Sequence, residues 1–508
     1  MRRSFLLFRA AVILSVFANV FSAHADTLTL KPVGRPRRLL GPIFGGSTTA
    51  FYEPLLDDPA KITVLKTMAI GLDRFPGGSD ANFYNWRTGL IDIQACPDSS
   101  PYVQFWAKAA RNIARGKPNG VSMEQYESFS RQIGAQVILV PNLESSSVAD
   151  QVEWFKRLAG AGIVPKRIEL GNEFWVAMGN DPTSLARWPD EPTSMRIMKQ
   201  YLDAVKPYLP ADAKVAVQSA AGAVDARRGR FGQRLRQWDE DLRPEPWFDA
   251  VTLHLYPRLR DVMGDPQAGT TPPTSANAMP RLQAMMARVD DGVDQILQDT
   301  ERRLPGKEIW ITEWNSRGAN PAAQRGDADE PMSPAMEMLT TTRMALVYLR
   351  HPSVTASLFF MYSFRQRDSH AMFVPDGAGS YAPVPTAAAL RWLSEAANTS
   401  GSFQRLVPEG EQPVPGGGAK SEFYLPVEGG LFESPTRTTL FVENVSSTSF
   451  SFAPSMLIKG QHPSRVETFA MSDLVSLVRT AAHMETQSPA GPTAIPPFSL
   501  TRIIWDRN

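Results

Sequence analysis

Between residues 42 and 395, short apolar and β-branched runs alternate with longer polar segments of helical character. No other feature restricts the chain as strongly. The runs are Ile43 to Gly45, Gly71 to Phe75, Val137 to Pro141, Arg167 to Gly171, Lys214 to Gln218, Ala250 to Leu255, Glu308 to Thr312 and Ser357 to Met361. Helix-compatible stretches such as Ser122 to Gln132, Asp150 to Ala161, Thr193 to Tyr208, Arg288 to Arg303 and Ala335 to Arg350 lie between them. A strand, a helix and a second strand joined in this way pair in parallel, and eight such units close a sheet on itself. The expectation is an α/β chain with a (β/α)8 TIM barrel over 41–397. Its excess length falls in the stretches Gly77 to Pro101, Gly179 to Pro192, Pro257 to Pro280 and Ser316 to Pro334. All follow the carboxyl ends of strands, where barrel enzymes build their sites.

From 398 to 508 the texture changes to short alternating segments, "SEFYLPV", "TTLFVENV" and "FSLTRIIW", punctuated by "PVPGGGAK". This pattern predicts a β-sandwich. The early strand "TLTLKPV" (Thr27 to Val33), within 26–40, is expected to complete it and so bring the N-terminal segment beside the C-terminal domain. A length of 508 residues suffices for both cores. With 53 Lys+Arg against 52 Asp+Glu, no global field draws in nucleic acid or an anionic bilayer.

Residues 1–25 read as an export signal: Arg2 and Arg3, an apolar run from Ala10 to Phe21, then Ala23-His24-Ala25 ahead of Asp26. The opening "RRSFLL" loosely resembles a twin-arginine signal, but the ordinary secretory reading is stronger. The run is too short for a comfortable membrane span, so the expected product is periplasmic or extracellular without stable membrane insertion. Cys96 is the single cysteine, so no intrachain disulfide forms. The six histidines have no partner at a metal-ligand spacing, and neither a metal nor a cofactor is implied.

Two stretches carry chemistry. "RIELGNEFW" (167–175) is an apolar strand that ends in Gly171, Asn172 and Glu173. "EIWITEWNS" (308–316) mirrors it, with Glu313 where the strand runs out. The two glutamates are 140 residues apart and fall on strands four and seven, which places both in one barrel mouth. Paired carboxyl groups facing one cavity suit glycosidic bond cleavage, in which one stays protonated and the other ionised.

With "RFPGG" (Arg74 to Gly78) on strand two and "VTLHLY" (Val251 to Tyr256) on strand six, these stretches resemble the clan of retaining glycoside hydrolases built on (β/α)8 barrels. Within that clan the chain looks most like the heparanase and β-glucuronidase family, in order from about residue 40 to 395, with the trailing sandwich in the same pattern. The resemblance implies Glu173 as acid/base, Asn172 on the sugar 2-hydroxyl and Glu313 as nucleophile. It also implies that Tyr256 orients Glu313, that Arg74 favours its ionised form and that His254 lines the same wall. An oligo- or polysaccharide is the implied partner, probed here by residues with rival readings. Asp80 and Asn82 either bind sugar hydroxyls or serve the turn after Gly77 and Gly78, and Trp175, Trp314 and Tyr362 either stack on a pyranose or pack a core. Arg317, Arg365 and Arg367 either read a uronate carboxylate or form a solvated basic loop. The chain departs from the heparanase-like pattern at Phe174, where a proline is usual, and in the residues flanking Glu313. The leading expectation is an exported retaining β-glycosidase acting on glucuronic-acid-containing glycans. An arabinofuranosidase or xylosidase of the same clan, a non-catalytic carbohydrate-binding protein and an interaction protein working through its sandwich are the alternatives.

Overall fold

Short strands rich in Val, Ile, Leu and Ala, buried on both faces, require cover on both sides, and closing them into a cylinder wrapped by helices supplies it. The computed structural model describes residues 26–47, 56, 58–92, 101–116, 120–177, 181–222, 229–316, 331–364, 372–458 and 461–507. Its centre is a closed, all-parallel barrel of Phe44–Gly46, Leu72–Phe75, Gln136–Leu139, Arg167–Glu169, Lys214–Gln218, Ala250–Leu255, Glu308–Trp314 and Val354–Phe359. These are strands one to eight below. All eight coincide with the expected runs to within a few residues, although strand seven continues through Glu313 to Trp314 and strand four stops at Glu169. Glu313 therefore lies within its strand, and Glu173 lies four residues beyond its own.

The expected loops carry structure of their own. The stretch after strand two folds into a 3-10 helix, Gly78–Phe83, and a small hairpin of Tyr84–Asn85 with Leu90–Ile91. The stretches after strands four and six contain short helices, Pro182–Arg187 and Leu259–Met263. Residues 317–330, after strand seven, lie outside the described residues.

Inside the barrel, Leu72, Ile138, Ala216, Ala250, Trp310, Ala356 and Leu358 form an apolar plug. Arg74, two residues along strand two from Leu72, and Thr312, two along strand seven from Trp310, come next on the same inner side. Charge thus starts where the plug ends, toward the carboxyl ends of the strands.

The C-terminal region is a sandwich. Its larger sheet is antiparallel, in the order Leu30–Arg38, Ser402–Pro408, Val427–Glu433, Arg437–Asn444, Ser499–Asp506, Arg465–Ala470 and Glu485–Gln487. The smaller joins Asp26–Leu28, Phe450–Phe452 and Thr493–Ile495. The N-terminal segment joins the sandwich, as expected, but the single expected strand is two, broken at Thr29, with one at the edge of each sheet, and Leu28, Leu30, Leu406, Leu440, Val466, Ile503 and Trp505 fill the space between them. The other face of the large sheet packs on the barrel, where Phe469 stacks on Trp392 with ring centroids 4.0 Å apart. A buried ionic network crosses that junction. Arg343, on helix Pro334–Arg350, donates to Glu443 at 2.6 Å and to Asp290, and Arg350 donates to Asp290 at 2.5 Å and to Glu428. No helix of the described residues is long and apolar enough to cross a membrane. The expected signal, 1–25, and Cys96 lie outside the described residues.

Candidate active site

The turn after strand four is built so that a carboxyl group can be aimed into the mouth. Gly171 takes φ +80°, and a Cβ there would sit 2.0 Å from the Phe174 ring, so only glycine fits. Glu173 itself adopts φ +49°, a left-handed conformation that costs a non-glycine residue about 1–2 kcal/mol. Side chains from neighbouring elements hold it there. Gln218, on strand five, accepts from the Phe174 amide at 2.8 Å and donates to the Leu170 carbonyl at 3.1 Å. Asn82 accepts from the Asn172 amide at 3.3 Å and donates to the Asn172 carbonyl at 2.9 Å. Strain maintained by this many partners is a mark of a working site.

Glu313 is aimed by a different device. The pairing of strands six and seven passes from Leu253 opposite Ile311 to His254 opposite Glu313, which makes Thr312 an extra residue. A bulge of this kind breaks the alternation of faces. Thr312 and Glu313 both reach the inner cluster, and Trp314 turns outward against Tyr348 and Phe359 with ring centroids 5.1 and 5.3 Å away.

Arg74 organises the centre. Its guanidinium, fully buried, donates through Nε and Nη2 to the two oxygens of Glu169 at 2.7 and 2.8 Å, through Nη1 to Glu313 Oε1 at 2.7 Å, and through Nη2 to Asn172 Oδ1 at 2.8 Å. Burial works against this cation, but the charges of Glu169 and Glu313 outweigh it and raise its pKa further. Because arginine only donates, Asn172 must present Oδ1 to it, which leaves the Nδ2 hydrogens for a ligand. Tyr256 donates to Glu313 Oε2 at 2.7 Å, and burial, with Glu313 beside it, pushes the phenol pKa well above its ordinary value.

His254 links the two glutamates. Its Nδ1 lies 2.7 Å from Glu173 Oε1 and 3.6 Å from Glu313 Oε2, while Nε2 lies 3.2 Å from Thr312 Oγ1. Thr312 donates its hydroxyl proton to Glu169 Oε1 at 3.1 Å, so its oxygen accepts from Nε2–H. That fixes the tautomer, and a neutral His254 turns a bare Nδ1 toward Glu173. Burial opposes an imidazolium here, but the Glu313 charge and the Glu173 hydrogen bond prevail, and the pKa of His254 is raised. One oxygen of Glu173 and one of Glu313 approach within 4.8 Å.

Of the residues expected from the sequence, Glu173, Glu313, Asn172, Arg74, Tyr256 and His254 meet in this cluster. Asn82 is adjacent, but both ends of its amide are engaged by the Asn172 backbone, so it shapes the turn where a sugar contact was the alternative. Asp80 is buried in the Gly78–Phe83 helix. The aromatic platforms are corrected: Trp314 is 0% exposed, Tyr362 1% and Trp175 4%. Trp314 faces the helix layer, the Tyr362 ring fills the space above Gly46, and Trp175 is enclosed in its 3-10 turn. Arg317, Arg365 and Arg367 lie outside the described residues. Sequence reasoning missed Glu169, Thr312 and Gln218. The signal for Glu169 was a carboxylate inside an apolar strand, four residues before Glu173, which cannot be buried without a cation.

No family model matches the chain, and no curated protein matches it in sequence. Solved structures do match. A family 51 α-L-arabinofuranosidase from Bifidobacterium longum superposes with a TM-score of 0.67 at 13% identity, covering 94% of this chain and 100% of its own. The family 51 arabinofuranosidase from Xanthomonas axonopodis pv. citri gives 0.63 at 14%, covering 95% and 100%. A 4-O-α-L-rhamnosyl-β-D-glucuronidase from Fusarium oxysporum gives 0.53 at 12%, covering 94% and 99%. The fold is that of barrel glycoside hydrolases. Identity this low carries the architecture alone, including the sandwich after the barrel, and the chemistry has to be argued from the side chains.

Proposed function

We propose that the protein is a retaining glycoside hydrolase. The observation that carries this reading is the approach of Glu173 and Glu313 to within 4.8 Å across one barrel mouth, since carboxyl groups about 5–5.5 Å apart leave room for attack by one of them and none for an intervening water. In the first step Glu313 attacks the anomeric carbon as Glu173 passes its proton to the departing glycosidic oxygen, leaving a glycosyl ester on Glu313. In the second, the Glu173 carboxylate takes a proton from water, the resulting oxygen nucleophile attacks the same carbon, and Glu313 leaves as a carboxylate. Two inversions give net retention.

The neighbours act on this sequence. Arg74 and Tyr256 each hold one oxygen of Glu313, fixing its plane for in-line attack. Asn172 offers Nδ2 to the 2-hydroxyl, a contact that strengthens as the oxocarbenium-like charge develops. His254 faces Glu173 and shares with it the proton that the first step uses.

For the sugar, a glucuronic-acid-containing glycan remains the first reading, from the likeness of the sequence motifs to the heparanase and β-glucuronidase family. An arabinofuranoside is the second, favoured by the higher TM-scores of the two arabinofuranosidases. Export to the periplasm or beyond is part of the proposal and rests on residues 1–25. N-terminal sequencing of secreted protein checks it, with a start near Asp26 expected. The deciding experiment for the mechanism treats the protein with cyclophellitol-type inhibitors of glucuronic and of arabinofuranosyl configuration. Labelling of Glu313 by one of them identifies nucleophile and sugar class together. Labelling elsewhere, or release of product with inverted anomeric configuration, refutes the mechanism.

A further inference from the structure

The sequence holds no closely spaced metal ligands, yet the fold brings three together from strands four, six and seven. We propose that Glu173, His254 and Glu313 form a site for a divalent transition-metal ion, Zn2+ in particular, which binds across the mouth and blocks it reversibly. The donor atoms of the three residues all lie within 4.8 Å of one another, with edges of 2.7 Å (His254 Nδ1 to Glu173 Oε1) and 3.6 Å (His254 Nδ1 to Glu313 Oε2). Bonds of about 2.0–2.2 Å to nitrogen and oxygen in a tetrahedron require donor edges of roughly 3.3 Å. These two edges bracket that value, and the third, between the glutamate oxygens and at most 4.8 Å, has to shorten as the ion binds.

Three further features match what a metal needs. First, the imidazole is held by its other nitrogen: Nε2–H donates to Thr312, which donates to Glu169, so Nδ1, which shares a proton with Glu173, is the nitrogen left to a metal that displaces that proton, and its direction is set. Metal-binding histidines are oriented in this way through hydrogen bonds to a carboxylate or an intermediary. Second, the charge is right. One guanidinium, Arg74, stands against three carboxylates, Glu169, Glu173 and Glu313, and once the incoming ion displaces the proton shared by Glu173 and His254 the two remaining negative charges are those a dication neutralises. Third, Arg74 holds Oε1 of Glu313, so Oε2 is the oxygen that faces His254, and the Tyr256 hydrogen bond leaves it a second lone pair. Two oxygens and one imidazole suit Zn2+, Co2+ or Cu2+ better than Mg2+, which prefers octahedral oxygen. With both glutamates taken as ligands, neither the attacking carboxylate nor the acid is available to a sugar. Blocking of turnover rests on the proposed glycosidase reading. Metal binding itself does not.

The test adds Co2+ to the full-length protein and reads its visible absorption, then displaces it with Zn2+ by calorimetry. One equivalent with the intense bands of a four-coordinate ion is expected, with Mg2+ silent. His254→Ala should weaken binding at least about a hundredfold, and Thr312→Val, which keeps all three ligands, about 10–100-fold through loss of orientation. Circular dichroism establishes that each variant is folded, and Thr312→Val carries the test if His254→Ala is not. Whichever aryl glycoside the protein cleaves should be inhibited competitively by Zn2+, with full recovery on chelation. Unchanged metal affinity in both variants, or a metal-loaded protein that takes an active-site label at the normal rate, overturns the proposal. If no glycoside is cleaved, the cobalt spectrum still decides whether the site exists.

Discussion

Glu443 offers a prediction whose size follows from its surroundings. It lies fully buried on the sandwich strand Arg437–Asn444, where Oε2 accepts from Arg343 Nε at 2.6 Å and, among the described residues, Oε1 has no hydrogen-bond partner. Burial is the largest influence, the charges of Glu428 and Asp290 add to it, Arg343 opposes them, and the carboxyl is pushed up from 4.5 to about 7. In the unfolded chain it ionises near its ordinary value. Between about 4.5 and 7 the folded protein therefore holds a proton that the unfolded chain has lost, and stability falls as pH rises through that window. At about 1.4 kcal/mol per pH unit the loss reaches at most about 3 kcal/mol, complete above pH 8. Glu443→Gln keeps the shape and the acceptor for Arg343 but has nothing to ionise. Urea unfolding of both proteins at pH 5 and pH 8, followed by tryptophan fluorescence, isolates the effect. His351, between Asp294 and Glu301, also has a raised pKa and loses stabilisation in the same direction, but it is present in both proteins and cancels. The variant should lose about 2.5 kcal/mol less than the wild type between the two pH values, since part of the loss falls below pH 5. Equal losses would show that Glu443 is ionised throughout and that Arg343 governs it, contrary to the reasoning.

Glu313→Gln should lower kcat at least about a thousandfold on any responsive glycoside, whereas Glu173→Ala should lose about 10²–10⁴ and recover turnover of an activated aryl glycoside when azide is supplied. Product analysis for the glycosyl azide checks the second outcome. Tyr256→Phe removes one charge-assisted hydrogen bond from Glu313, worth about 1.5–3 kcal/mol, and should reduce kcat roughly 10–150-fold with the fold intact by circular dichroism. Trp314→Phe should lower the unfolding midpoint while leaving KM within about twofold, because the ring contacts Tyr348 in the helix layer and Phe359 at the end of strand eight; a large rise in KM would restore the sugar-platform reading.

Much of the site was legible because its two glutamates follow recognisable strands, and strand position around a closed barrel determines which side chains share a mouth. Arg74, His254 and Tyr256 came from the resemblance that "RFPGG" and "VTLHLY" bear to the clan of barrel glycoside hydrolases. The platform reading of Trp314 fails for a physical reason: the bulge at Thr312 shifts the alternation by one residue, so Glu313 faces inward and Trp314 outward, and local sequence does not announce a bulge. Glu169 escaped notice because its role depends on Arg74, 95 residues away, whose guanidinium satisfies a charge that would otherwise be excluded from the strand.

The periodic placement of apolar residues was enough by itself to determine the barrel, the sandwich and the N-terminal strand that serves it, since hydrophobic burial responds to pattern and is insensitive to detail. The approach of Glu173 to Glu313, the tautomer of His254 and the orientation of Asn172 were decided only by the tertiary structure. Hydrogen bonds and charges act over a few ångströms between residues far apart in the chain, and their geometry exists only after the strands have closed.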